Sequence, residues 1–149
     1  MNKTTGMTLI VKNTARLVSG FIAVFGIYIA ATGHLTPGGG FAGGVILAAA
    51  AALVVLAFGR GFTQRILGET ECHVWDAAGA TAFLVVALCG YFGGAFFAHF
   101  LALGTVHELR SGGAIPLSNL AILVKVGAGL AGAFLALSAY RLAKPGQEM

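Results

Sequence analysis

Four long apolar runs, joined by short connections, constrain this 149-residue chain more than any other feature. They lie at about residues 17–32, 41–59, 77–103 and 117–142. A helix that crosses a bilayer needs about 20 predominantly apolar residues, and a barrel strand only about 10. The runs are too long for barrel strands and lack their alternation, so the sequence predicts four spanning helices. Charge agrees. Only 9% of residues are charged, against about 25% in an average soluble domain. That is too few to cover a water-soluble globule, which argues against a soluble enzyme. A 58% hydrophobic chain is also no candidate for disorder. The expectation is an all-α integral membrane protein, a bundle of four transmembrane helices forming one membrane domain over residues 1–149.

The charges orient it. Lys3, Lys12, Arg16, Arg60, Arg65, Arg141 and Lys144 fall on one side of the four runs and Arg110 on the other. The positive-inside rule then predicts that both termini are cytoplasmic. A basic start before an apolar run also has the outline of a signal peptide. With three more runs behind it, the first reads as an uncleaved helix. The net charge of +4 could suggest nucleic acid, but the basic residues flank apolar segments, so no nucleic-acid partner is expected. Glycine contributes 23 residues and alanine 27, one third of the chain together. Small residues let membrane helices approach closely, which suits a protein that packs against many other helices.

The second helix opens on the segment GHLTPGGGFAGG, residues 33–44. Gly38, Gly40 and Gly43 match G-x-G-x-x-G, but no strand or βαβ unit surrounds them, so a dinucleotide site is rejected. The mechanical reading is a proline that fixes φ near the helix start, glycines that permit a tight turn, and small-x-x-x-small pairs Gly39/Gly43 and Gly40/Gly44. Phe41 is the one bulky group among them and could insert into a neighbour. The other reading uses the free N–H groups of the helix start as a water or ion site. His34, at the end of the first helix, is either a hydrogen-bonded end group or a proton relay. His73, His99 and His107 have no second ligand at useful spacing, and His107-Glu108 lacks the second histidine of a zincin. No metal is expected. Cys72 and Cys89 form no C-x-x-C, so neither an Fe–S cluster nor another cofactor is expected.

Lys125 is the most informative single residue. It lies about 12 Å into the fourth helix at 1.5 Å per residue. An ammonium there costs at least about 2.5 kcal/mol on insertion scales. At 100° per residue it shares a side with Ser118, Ala121, Gly129 and Gly132, while Leu123, Leu130 and Leu137 lie roughly opposite. It should therefore point into a tightly packed face and meet a carboxylate, a backbone carbonyl or water. Snorkelling, a buried pair and a proton path remain open for it. Asp76 and Glu71 read as flanking the third helix, with Asp76 as its cap. On that reading no span carries a carboxylate in its middle, which a cation carrier acting alone usually needs.

Gly33–Gly44, opening an Ala-rich apolar helix, resembles the signature of the MnhB family, the B-type subunits of Mrp-type multisubunit sodium/proton antiporters. Ser111–Gly129, SGGAIPLSNLAILVKVGAG, is similar to that family's second signature. The resemblance implies a role as one of six or seven membrane subunits, with two large antiporter-like subunits and several small ones as partners in the cell membrane. It implies that His34, Pro37, Gly38, Gly39, Gly40, Phe41, Gly43, Gly44, Pro116 and Lys125 matter. Pro37, Pro116, the glycines and Phe41 would shape the hairpin and a subunit contact. His34 and Lys125 would be candidates for a polar ion pathway. The expected function is an accessory, non-enzymatic subunit of a sodium/proton antiporter. The alternative is the equivalent subunit of a membrane-bound hydrogenase or related redox complex. A self-contained channel would need pore-lining polar rings, and the spans offer few.

Overall fold

The computed structural model describes residues 7–64, 67–98, 100–101, 104 and 111–140. Expectations for Lys3, Arg65, His99, His107, Glu108, Arg110, Arg141 and Lys144 fall outside the described residues. The elements are α1 (Leu9–Ala31), α2 (Gly40–Phe58), a single turn α3 (Arg60–Thr63), α4 (Glu69–Cys89) with a 3₁₀ turn over Gly90–Gly93, and α5 (Ile115–Tyr140). Four of these segments are long and apolar enough to cross a membrane.

Three helix ends differ from the apolar runs in an instructive way. α1 begins at Leu9 and α4 at Glu69, each well before its apolar run. Helices continue past the hydrocarbon boundary, because Lys12, Arg16, Glu69 and Glu71 are good helix formers whose heads reach water. Glu71 Oε2 accepts a hydrogen bond from the Gly68 amide (3.4 Å) and so closes the first turn of α4. Asp76 is therefore not the cap; it stands in the helix interior. At its other end α4 stops at Cys89, whereas the apolar run continues to 103. Gly94 takes φ +101°, a left-handed conformation that favours glycine, and the chain folds back until the Phe97 amide donates to the Ala87 carbonyl (3.2 Å). Phe83, Phe96 and Phe97 then cluster, with ring centroids 5.4–5.6 Å apart. Hydropathy stays high through an aromatic turn that is not helix.

The helices stand in an open row, in the order α1, α2, α5, α4, bent so that α1 also touches α5. Among the described residues α4 packs against α5 but not against α1 or α2, so the expected bundle is not closed. The directions follow from the contacts. α1 runs antiparallel to α2, with Gly26 facing Gly43 and the Met7 amide bonded to the Ala57 carbonyl (3.3 Å). α2 runs parallel to α5, with Gly40 at Asn119, Gly44 at Leu123 and Val126, and Leu47 at Gly127. α4 runs antiparallel to α5, with Gly79 at Lys125, Asp76 at Gly129 and Cys72 at Gly132.

Every one of these crossings is made on a glycine. The small residues lie inside and many large ones outside: Phe21, Phe25, Phe92 and Leu137 are more than half exposed, while Ala30, Ala57 and Ala87 are at most 2% exposed. That distribution suits lipid as solvent, where close backbone packing rather than burial of large side chains holds helices together. Among the described residues, a cluster of larger buried groups joins Val55, Cys72, Ala131 and Leu135 between α2, α4 and α5.

Candidate functional site

Lys125 Nζ donates to Asp76 Oδ1 at 2.9 Å, across the α4–α5 contact. Glycine at position 79 makes this possible. A Cβ there would lie 2.6 Å from the Lys125 backbone nitrogen, so the helices touch at this level. Asp76 lies against Gly129, where a Cβ would be 3.4 Å from its Oδ1. Gly129 is about 21 Å along α5 from Ile115 at 1.5 Å per residue, close to the midpoint of that 26-residue helix. Because Gly129 is four residues beyond Lys125, the lysine reaches along α5 toward its C-terminal end.

The pair is not sealed within the chain. The Lys125 and Asp76 side chains keep 48% and 36% of their exposure. They line a groove of about 240 Å³ together with Phe41, Val126, Gly129 and Leu130. Phe41 is 67% exposed and stands on the groove wall rather than inserting into a neighbouring helix of this chain.

A second polar point lies one and a half turns up α5. Asn119 Oδ1 accepts the amide of Gly40, the first residue of α2 (3.3 Å). It occupies a space that only glycines leave: a Cβ on Gly33 would meet its Nδ2 at 3.0 Å, and one on Gly40 would collide with its backbone carbonyl. Gly39, with φ +120°, turns the chain into α2 beside the same amide. One of the N–H groups proposed for an ion site is thus taken by a side chain of α5. Asn119→Ala leaves that part-buried amide without its acceptor. The expected cost is about 1–2 kcal/mol, read as a lower thermal midpoint of the purified chain. An unchanged midpoint would remove Asn119 from the structural role.

The sequence-predicted residues divide between these places. His34 packs its ring against Gly112, where a Cβ would lie 3.1 Å from Cδ2, and Pro116 Cδ lies 2.9 Å from the same point. His34 and Pro116 therefore belong to the end of the row where Asn119 sits. Lys125 belongs to the pair with Asp76. Gly40 and Gly44 both face α5, and Gly43 faces α1, so α2 uses its glycines on two sides. Gly39 lies outside the helix, and Gly38 is exposed near Ile29. Pro37 is exposed in the bend, three residues before α2. Sequence reasoning missed Asp76 and Asn119. Asn119 had a signal, an amide in the apolar opening of α5. Among the described residues no group of three or more His, Cys, Asp or Glu could hold a metal ion, and Cys72 and Cys89 are free thiols.

Four apolar helices packed on glycines, with an ion pair between two of them, define a polytopic membrane protein. It belongs to the family of domains related to the MnhB subunit of the Na+/H+ antiporter, whose model matches residues 10–132. The B-type subunit of the Na(+)/H(+) antiporter of Bacillus subtilis is 32% identical over 99 residues, covering 66% of this chain and 69% of that protein. An uncharacterized protein of Methanocaldococcus jannaschii is 34% identical over 142 residues, 88% of this chain. A chain of the membrane-bound sulfane sulfur reductase, an archaeal respiratory membrane complex, superposes with TM-score 0.70 at 32% identity over 91% of this chain. The chain spans 52% of the Methanocaldococcus relative and 59% of the solved one.

Proposed function

We propose that this chain is an accessory membrane subunit of a multisubunit sodium/proton antiporter, multi-pass in the cell membrane, with cytoplasmic termini and no catalytic site of its own. Its family and its likeness to the Bacillus subtilis antiporter protein support the antiporter class. The observation that carries the accessory role is the half-exposed Asp76–Lys125 pair. A charged group within a span is tolerated when it faces protein or a water-filled cavity, and hydrocarbon provides neither. The open row leaves that side uncovered, so a neighbouring subunit has to cover it. The pair then either locks two subunits together or lines the ion route between them.

Phe41 supplies the apolar contact beside the pair. Phe41→Ala leaves the fold of this chain intact, because the ring is exposed, but removes its burial in the neighbour, worth about 3 kcal/mol. The expected result is less full-size complex on a native gel and a matching fall in sodium/proton exchange by membrane vesicles. Full-size complex with unchanged exchange would sink this contact.

A second reading is the equivalent subunit in a redox-driven complex. The likeness to a chain of the sulfane sulfur reductase supports it. The deciding experiment is to tag the C-terminus, extract native membranes gently and identify the co-purifying subunits by mass spectrometry. Two large antiporter-like subunits without redox subunits would support the antiporter. Redox subunits in the same particle would move the chain to the second reading. Recovery of the chain alone would refute both.

A further inference from the structure

The face of the row away from the ion pair is built differently. At 100° per residue, the mean direction of Val124, Gly127, Ala128 and Ala131 of α5 is opposite to the mean direction of Lys125, Val126, Gly129 and Leu130, although Leu130 by itself is well round the helix from Lys125. On that face α1, α2, α4 and α5 enclose a groove of about 510 Å³. Its wall is apolar except for Arg16 and Ser19 at one end. Beside it, the outer face of α1 from Asn13 to Val24 is an open surface, apolar apart from Asn13 and Arg16 and bordered by no other helix among the described residues. Arg16 and Gly20 line both. Gly20 makes no crossing, since a Cβ there would meet nothing within 4 Å. The groove and the open face thus lie on either side of one cation.

Arg16 stands where the apolar run of α1 begins, and its guanidinium lies over the Phe58 ring, 5.4 Å from the centroid, at the end of α2. Stacking on a ring fixes the plane of the guanidinium and leaves its in-plane N–H groups to an oxyanion. Among the described residues no carboxylate pairs with it. Lys12, one turn earlier, adds positive charge at the same end.

We propose that Arg16 holds the phosphate of an anionic diacyl phospholipid, one acyl chain of which lies in the groove between the helices and the other along the outer face of α1. One head charge, an apolar groove and an apolar face meeting at it, and a position at the membrane boundary match that amphiphile. An apolar partner helix would bury the guanidinium without a counter-charge. The site is independent of which complex the chain serves.

Trp75, the only tryptophan, lines the groove of about 510 Å³ and reports directly on its occupant. The full chain is reconstituted in phosphatidylcholine vesicles, and brominated phosphatidylglycerol or brominated phosphatidylcholine is titrated in. Expected is quenching of Trp75 by the anionic lipid with an apparent affinity about fivefold above the zwitterionic one, the effect of one cation near an anionic lipid. Arg16→Gln should abolish that preference. Lys12→Gln, which removes an equal charge that lines neither surface, should largely retain it. Gly20→Leu, with open space around it, should crowd both surfaces and reduce quenching by both lipids. Equal quenching by the two lipids in the native chain would overturn the proposal. So would equal effects of Arg16→Gln and Lys12→Gln, or a Trp75 that neither lipid reaches.

Discussion

Gly40→Val is expected to separate the chain into two helical hairpins that no longer pack. A Cβ on Gly40 would collide with the Asn119 carbonyl oxygen and lie 2.8 Å and 2.9 Å from the Asn119 carbonyl carbon and Cα. These are backbone atoms of α5 and cannot move without moving the helix. Valine adds two methyl groups at the same point and displaces the Gly40 amide from Asn119 Oδ1. The contact is also the main one between the two hairpins, because α2 against α5 joins α1–α2 to α4–α5, with a smaller contact of α1 on α5 beside it. Overpacking commonly costs about 1–3 kcal/mol, and the lost cap adds about 1 kcal/mol. Leu47 and Gly127 offer a direct reading. A Cβ on Gly127 would lie 3.7 Å from Leu47 Cβ, within the usual range of about 3.5–4.5 Å for a disulfide. In a background without Cys72 and Cys89, Leu47→Cys with Gly127→Cys should crosslink readily, and adding Gly40→Val should abolish the crosslink. Gly20→Ala, in open space, should leave it unchanged. A crosslink of equal yield with valine at position 40 would show that α2 and α5 do not depend on this approach.

The parts of the molecule legible in sequence are those that follow from local composition. Apolar runs of spanning length marked four helices, because hydrocarbon demands them. The glycines at 40, 43 and 44 marked a close approach, because little else explains so many small residues at a helix start. The angular position of Lys125 among small residues pointed it into a helix contact, and a carboxylate was one of its expected partners. What stayed hidden depends on pairing between segments. Asp76 was assigned to a helix cap because hydropathy marks the apolar part of a helix and not its first turns. Once α4 starts at Glu69, Asp76 moves two turns inside and the antiparallel register brings it to Gly129. Asn119 showed only as an amide in an apolar opening, and its partner Gly40 lies 79 positions away. The open row was illegible for the same reason, since composition does not say which helix stands next to which.

The second large effect concerns the ion pair, and it separates two roles that the single variants confuse. Lys125→Met leaves the Asp76 carboxylate alone within the span, and Asp76→Asn leaves the ammonium alone. Removing one partner of a covered pair costs about 3–5 kcal/mol, a factor of more than about 100 in an assembly equilibrium. Each single variant should therefore lose most of the full-size complex on a native gel. Lys125→Arg, which keeps the charge, should be milder. The informative variant is the double one, Asp76→Asn with Lys125→Met. No uncompensated charge is left, and replacing a charged pair by neutral groups is often close to neutral for stability. Assembly should return toward the native level. Sodium/proton exchange by vesicles then decides the role. If the pair only locks subunits together, exchange returns with assembly. If it lines the ion route, the complex re-forms but exchange stays low, because the groove beside Phe41 no longer carries a charge. Native assembly in both single variants would mean that the pair faces a water-filled space in which an unpaired charge is tolerated, and the case for a covering subunit on this face would fail.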